Sequence, residues 1–201
     1  MSEINPLFSK PVYENKLDID TKTIVSMIDK PRVSANWKQN NQGNDSLYVL
    51  EHKKFDFLKD IIEKEILEFT KNYLKYTNNF KITTSWFTKV NKKQSSQSHN
   101  HNNCFLSGVL YLKTSDNSGN IVFTDYSNER NSLTTLEYNL FNSKSFKFQP
   151  YDGLILIFPS ELYHHVETNN ADHIRYSLAF NIMPTGLIGK QSEDSQLRIN
   201  L

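Results

Sequence analysis

The sequence lacks the features that mark several common classes of protein. It holds a single cysteine, Cys104, among 201 residues, which excludes an intrachain disulfide framework and agrees with a reducing compartment. Its 23 Lys and Arg residues balance 22 Asp and Glu residues, and the net charge of +1 gives no electrostatic basis for binding nucleic acid or an anionic membrane. No apolar run approaches the roughly 20 residues that span a bilayer, and the N-terminus has no signal-peptide pattern. We therefore predict a soluble, cytoplasmic protein without nucleic-acid or membrane partners.

One strong helix is predicted in the first half of the chain, over residues 54–76. Its apolar residues recur at every third or fourth position: Phe55, Leu58, Ile62, Ile66, Phe69 and Tyr73. Such spacing places them in one stripe, which is typical of a helix packed on a sheet. The polar stretch 38–46 before it predicts a loop.

After the helix the sequence changes to short segments rich in β-branched and aromatic residues, separated by Gly, Asn, Asp, Ser and Pro. The predicted strands are residues 81–90, 105–113, 120–125, 133–141, 145–149, 153–158, 165–168 and 174–182. Closely spaced strands without intervening helices favour a sandwich or barrel over a parallel sheet. We predict a mainly β fold, a double-stranded β-helix (jelly roll) with an N-terminal helical part packed on the sheet.

The domain organisation follows from the same pattern. We expect a single domain over residues 1–201, with residues 1–80 as helical support. Residues 81–185 would form the jelly-roll core, and residues 186–201 a C-terminal tail.

Histidines are the first candidates for chemistry. His99 and His101 stand one residue apart, and in a strand such side chains share one side with Cα atoms roughly 7 Å apart, close enough to bind one metal ion. Two exposed loop histidines would give the same short pattern. His164 and His165 follow the predicted strand 153–158, and only one of them can face the interior because strand side chains alternate.

The last predicted strand, 174–182, has one face that is small and polar except for a single cation. That face carries Arg175, Ser177, Ala179 and Asn181. It suits the wall of a ligand cavity better than a packed core. A buried arginine needs an anionic partner, and Arg175 could bind a ligand carboxylate through two hydrogen bonds. A surface arginine on an edge strand is the simpler alternative.

Three segments follow one another along the chain: HNH…SGVLYL, GLILIFPSELYHHV and RYSLAFN. In this order they resemble Fe(II)/2-oxoglutarate-dependent oxygenases, in the bacterial and phage branch related to prolyl hydroxylases. The resemblance covers residues from about Trp86 to Asn181, and NPLFSKPVY near the start fits as well. It implies a dioxygenase that uses Fe(II), 2-oxoglutarate as co-substrate and O2. The implied substrate is an amino acid, a peptide or another small molecule that the enzyme hydroxylates.

The resemblance also implies a set of metal ligands, with no catalytic residue beyond them. His99 takes the place of the first iron ligand, and His164, rather than His165, that of the distal ligand. His101 stands where most of the superfamily has aspartate. Three histidines would still leave three iron positions open. The alternatives are that Asp125 or water fills that position, or that the site is inactive.

The co-substrate site is implied in the same way. Arg175 matches the arginine that binds the far carboxylate of 2-oxoglutarate, and Tyr111 matches a tyrosine that hydrogen-bonds the same group. The two side chains are therefore expected to be neighbours. Asn91 is a weaker match to a residue that reaches the cofactor or substrate.

Two other functions fit the same predicted barrel. A cupin-like metalloenzyme without 2-oxoglutarate would share the strand, turn and histidine of residues 153–164, although residues 102–108 lack the glutamate that cupins place after their first histidines. A non-catalytic jelly roll that binds a sugar or a partner would need no metal. A homodimer through the N-terminal helix is compatible with the sequence.

Overall fold

The computed structural model describes residues 3–28, 32–33, 47–126, 133–189 and 194–201, so the loop predicted over 38–46 lies outside the described residues. The elements follow in this order: β1 (Tyr13–Lys16), α1 (Thr21–Ser26), β2 (Arg32–Val33), two 3-10 helices (Val49–Glu51 and Lys53–Phe55), α2 (Asp56–Leu67), a π-helical continuation of α2 (Glu68–Tyr73), β3 (Asn79–Val90), β4 (Ser96–His99), β5 (Leu106–Lys113), β6 (Ile121–Thr124), β7 (Ser145–Phe148), β8 (Leu154–Pro159), β9 (Tyr163–Val166), β10 (Arg175–Ile188) and β11 (Leu197–Ile199).

The described strands form two sheets. The major sheet has the order β1-β8-β5-β10-β3-β2, with β11 paired to β10, and the minor sheet has the order β4-β9-β6-β7. All named pairs are antiparallel except β2 with β3. A buried cluster joins residues of both sheets, among them Tyr111 in β5, Phe123 in β6 and Phe158 in β8. The sheets therefore pack face to face, as in the predicted jelly roll.

The helix α2 covers the outer face of the major sheet. Leu58 and Ile62 are fully buried, and they share a core cluster with Leu178 and Phe180 of β10. Burying each such side chain stabilises the fold by roughly 1.5–3 kcal/mol. The predicted helix packed on a sheet is confirmed. Tyr73 leaves the predicted stripe and is 67% exposed, because the wider π-helical turns rotate its side chain relative to the α-helical register.

Gly108 leaves room for the side chain of Phe180 in the middle of the major sheet. It pairs with Phe180 across β5 and β10, and a Cβ atom at position 108 would lie 2.3 Å from the Phe180 ring. The absence of a side chain lets the ring lie over the neighbouring strand and pack against the helix.

The strand predicted over residues 133–141 is wrong. The structure has turns and irregular chain there, and the large apolar side chains of this stretch are exposed, with Leu133 at 80% and Leu140 at 79%. Their β-rich composition suggested a strand, but no strand among the described residues pairs with this stretch. Conversely, β1, β2, β4 and β11 were not predicted, since such short segments carry little periodic signal. No helix among the described residues is both long and apolar enough to cross a membrane.

Candidate metal centre

Three histidines come together on the minor sheet. His99 in β4 lies directly opposite His164 in β9, and His101 follows two residues after β4 ends. One potential ligand atom from each residue lies within 4.8 Å of the other two. Over the described ranges, no other group of three His, Cys, Asp or Glu residues is arranged in this way.

The expectation that His99 and His101 project from one strand is only half right. β4 ends at His99, and His101 belongs to the loop that follows. The backbone N–H of His101 donates to the carbonyl oxygen of Ser160, 3.0 Å away. This contact ties the loop to the turn between β8 and β9, and it brings the second histidine to the cluster without strand geometry.

The protonation of each imidazole follows from its neighbours. Each Nδ1 lies beside a carbonyl-type oxygen: Gln97 O at 2.8 Å from His99, Leu162 O at 3.0 Å from His164, and Asn181 Oδ1 at 2.6 Å from His101. Such an oxygen has no proton to donate, so each Nδ1 carries the hydrogen. In a neutral ring, Nε2 then holds the lone pair that a metal ion requires.

Burial keeps two of these rings neutral at physiological pH. Burial of His164 and, to a smaller extent, the nearby His99 together lower its pKa to about 3, against the opposing effect of the hydrogen bond to Leu162. Burial likewise lowers the pKa of His101, although its hydrogen bond to Asn181 acts in the opposite direction. Both side chains are therefore available as neutral ligands.

Arg175 is a buried cation with incomplete hydrogen bonding. It is 2% exposed, and its Nη1 donates to the carbonyl oxygens of Ser118 at 2.8 Å and Gly119 at 3.2 Å. Its Nε is buried without a hydrogen-bond partner, and no carboxylate of the described residues forms an ion pair with it. A buried charge in this state favours an anionic ligand, so the residues present fit a bound carboxylate.

Tyr111 lies beside this arginine, with the guanidinium carbon 6.0 Å from the centre of its ring. Burial raises the pKa of Tyr111 to about 12, although the positive charge of Arg175 lowers it somewhat. The phenol therefore keeps its proton at neutral pH and is a hydrogen-bond donor. Burial also lowers the pKa of Arg175, against the effect of Tyr111.

The remaining candidates lie around these groups. Asn91 follows Val90, the partner of Arg175 in the β3–β10 ladder, and its backbone N–H donates to the side chain of Gln94 at 2.9 Å. Asp125, the alternative ligand, comes directly after β6 and does not belong to the histidine group. His165 does not belong to it either.

The sequence did not predict that two further residues contact the histidine cluster. The ring of Trp86 is stacked on that of His101, with centroids 6.0 Å apart and planes at 28°. Asn181 accepts the hydrogen bond from the same ring. The available signal for Asn181 was its place on the polar face that also holds Arg175, but no pattern indicated its contact.

Comparison with known proteins agrees with this architecture. Residues 84–181 match a family model described as "Putative 2OG-Fe(II) oxygenase". No curated protein is significantly similar to the chain in sequence.

Several solved structures share the fold. An oxidoreductase of the 2OG-Fe(II) oxygenase family from Burkholderia pseudomallei is 15% identical, with a TM-score of 0.50 over 64% of this chain and 55% of its own. HygX from Streptomyces hygroscopicus, solved with nickel and 2-oxoglutarate bound, is 11% identical, with a TM-score of 0.57 over 88% of this chain and 83% of its own. SnoN, an epimerase from nogalamycin biosynthesis described as α-ketoglutarate-dependent, is 11% identical, with a TM-score of 0.57 over 92% and 83%. The chain spans little more than half of the Burkholderia protein.

Proposed function

We propose that this chain, whose residues 84–181 match the model of the 2OG-Fe(II) oxygenase family, is a non-haem Fe(II)- and 2-oxoglutarate-dependent dioxygenase. The main support is the meeting of three histidines whose Nδ1 atoms are all occupied by hydrogen bonds. The proposed reaction is hydroxylation of an amino acid, a peptide or another small molecule. Cytoplasmic location, a single domain and a homodimer stay predictions.

His99, His101 and His164 would hold the metal through Nε2. Imidazole is a suitable ligand for Fe(II), and three protein ligands leave other positions free for the co-substrate and O2. All three ligands are neutral, so the site would keep the full charge of the ion. The 2-oxoglutarate dianion would neutralise that charge, which compensates for the missing carboxylate ligand.

Arg175 and Tyr111 would bind the far carboxylate of 2-oxoglutarate. The Nε of Arg175 lacks a partner, and Tyr111 is a protonated phenol beside it. A carboxylate would satisfy the buried charge and accept charge-assisted hydrogen bonds. A cupin-like enzyme without 2-oxoglutarate would leave this arginine without its anion. The role of Asn91 at the cofactor or substrate is a weaker part of the proposal.

When bound, Fe(II) and 2-oxoglutarate supply the activation of O2 that oxidises the substrate. The chain itself would position these groups and keep water away from them. The ring of His164 lies 5.0 Å from that of Phe158 and 5.8 Å from that of Phe123, centroid to centroid. These aromatic rings shield one side of the His164 ring from water. They would hold the imidazole in a fixed orientation and keep bulk water out of the site during the reaction.

The proposal is tested by anaerobic titration of the metal-free protein with Fe(II) and then 2-oxoglutarate. We expect a visible charge-transfer band that requires both additions. His164→Ala should abolish the band, while His165→Ala, which alters the neighbouring histidine outside the cluster, should retain it. A folded wild-type protein without the band, or a band that persists in His164→Ala, would refute the proposal.

A further inference from the structure

We propose that Asn181 is a positioning residue of the metal centre, which holds the ring of His101 so that Nε2 faces the metal ion. This inference rests on the proposed function, since it requires that the histidines bind a metal. The contact itself is a 2.6 Å hydrogen bond from Nδ1 of His101 to Oδ1 of Asn181.

His101 depends on this contact more than the other two histidines depend on theirs. His99 and His164 lie in paired strands, and each bonds to a carbonyl oxygen two residues earlier in its own segment. His101 lies beyond the end of β4, and its ring bonds to a residue 80 positions away, on β10 of the major sheet. No strand pairing fixes its orientation, so a distant side chain must do so.

Asn181 is itself held on both sides by the neighbouring strands. Its Nδ2 donates to Oγ1 of Thr84 on β3 at 2.9 Å, and its Oδ1 also accepts from Oγ of Ser107 on β5 at 3.0 Å. Ser107 contacts Ser160 through their hydroxyls at 2.8 Å, and Ser160 accepts the backbone N–H of His101. The amide thus has its donor and its acceptor side fixed, and it offers His101 an oriented oxygen.

This arrangement explains how a histidine can serve where most of the superfamily has aspartate. A carboxylate ligand presents two equivalent oxygens, whereas an imidazole must present the correct nitrogen at the correct angle. A hydrogen-bond acceptor behind the ring meets both needs, and loss of such an acceptor costs about 10- to 100-fold in metal affinity. Trp86, stacked on the His101 ring, limits its tilt but does not select the tautomer.

The test compares Co(II) binding to metal-free wild type and three variants, by calorimetry and by the visible spectrum of the bound ion. Asn181→Leu removes the acceptor, and we expect about 10- to 100-fold weaker binding and an altered spectrum. Asn181→Asp keeps an oxygen toward His101 and should retain binding close to wild type. Thr84→Val is the matched control, because it removes a hydrogen bond of the same amide on the side away from His101.

The possible outcomes separate this inference from the proposed function. If folded Asn181→Leu binds Co(II) like wild type with the same spectrum, the inference is overturned while the proposed function stands. If Asn181→Asp or Thr84→Val loses as much affinity as Asn181→Leu, the role is structural packing and the inference is again overturned. Failure of wild type to bind Co(II) overturns both. Should Asn181→Leu not fold, Asn181→Ala replaces it with the same expectations.

Discussion

The substitution Arg175→Met should strongly weaken the binding of 2-oxoglutarate while it changes the stability of the fold little. The methionine preserves most of the apolar length of the side chain but removes the charge and all donors. In the free protein, the change deprives the carbonyl oxygens of Ser118 and Gly119 of a donor. It also removes a buried, incompletely bonded cation. These effects oppose each other, so we expect the free energy of unfolding to change by no more than about 2 kcal/mol.

The effect on 2-oxoglutarate binding should be much larger. The proposed carboxylate contact is buried, since Arg175 is 2% exposed and Tyr111 is 1% exposed. Removing one partner of a buried, hydrogen-bonded charge pair costs about 2–5 kcal/mol. Because 1.4 kcal/mol corresponds to a factor of ten, the Kd of 2-oxoglutarate should rise by a factor of about 30 to several thousand.

The assay is calorimetric titration of 2-oxoglutarate into Ni(II)-loaded protein, which binds the co-substrate without turnover. Arg198→Met is the control, because Arg198 is exposed on β11. Its Kd should equal that of wild type. An unchanged Kd in folded Arg175→Met would refute the assignment of Arg175 to the co-substrate, whatever the metal content of the protein.

Two further predictions concern stability. In metal-free protein, the free energy of unfolding should fall as the pH drops from 6.5 toward 3. In the unfolded chain His164 takes up a proton at its ordinary pKa, whereas in the folded protein its pKa is about 3 and the buried ring stays neutral over this range. This ring alone accounts for ~5 kcal/mol at most, and urea unfolding that shows no pH dependence over this range would contradict the burial argument. Leu58→Ala should lower the free energy of unfolding by about 2–5 kcal/mol, whereas Leu67→Ala, at a position 55% exposed, should lower it by less than about 1 kcal/mol. If the two variants unfolded at the same urea concentration, the described packing of α2 would be disproved.

The sequence was sufficient for the elements whose burial is periodic. Leu58, Ile62 and Ile66 follow helical spacing and lie in the core as predicted. The alternation of residues 174–182 likewise predicted that Leu178 and Arg175 lie on opposite faces; in the structure Leu178 lies in the core cluster with the helix, and Arg175 is buried beside Tyr111. Local patterns of this kind report which face of an element is buried, and they do so without knowledge of the partner.

The features that the sequence did not predict depend on contacts that form only in the folded chain. Residues 133–141 have the composition of a strand, but a strand also requires a neighbour to pair with, and the sequence does not show one. The approach of His101 to the cluster depends on Ser160, and its ring orientation depends on Asn181, which is 80 positions away. The histidines themselves were predicted through resemblance, because a pair spaced by one residue is too short a pattern to identify a metal site.

The most direct measurement of the central claim is anomalous X-ray diffraction from crystals grown with Ni(II) and 2-oxoglutarate. The account predicts one strong metal peak roughly 2.1 Å from the Nε2 atoms of His99, His101 and His164, with the far carboxylate of the co-substrate on Arg175. The account would be contradicted by a metal ion bound through Nδ1 atoms or located elsewhere on the chain. It would also be contradicted by a co-substrate whose far carboxylate does not contact Arg175.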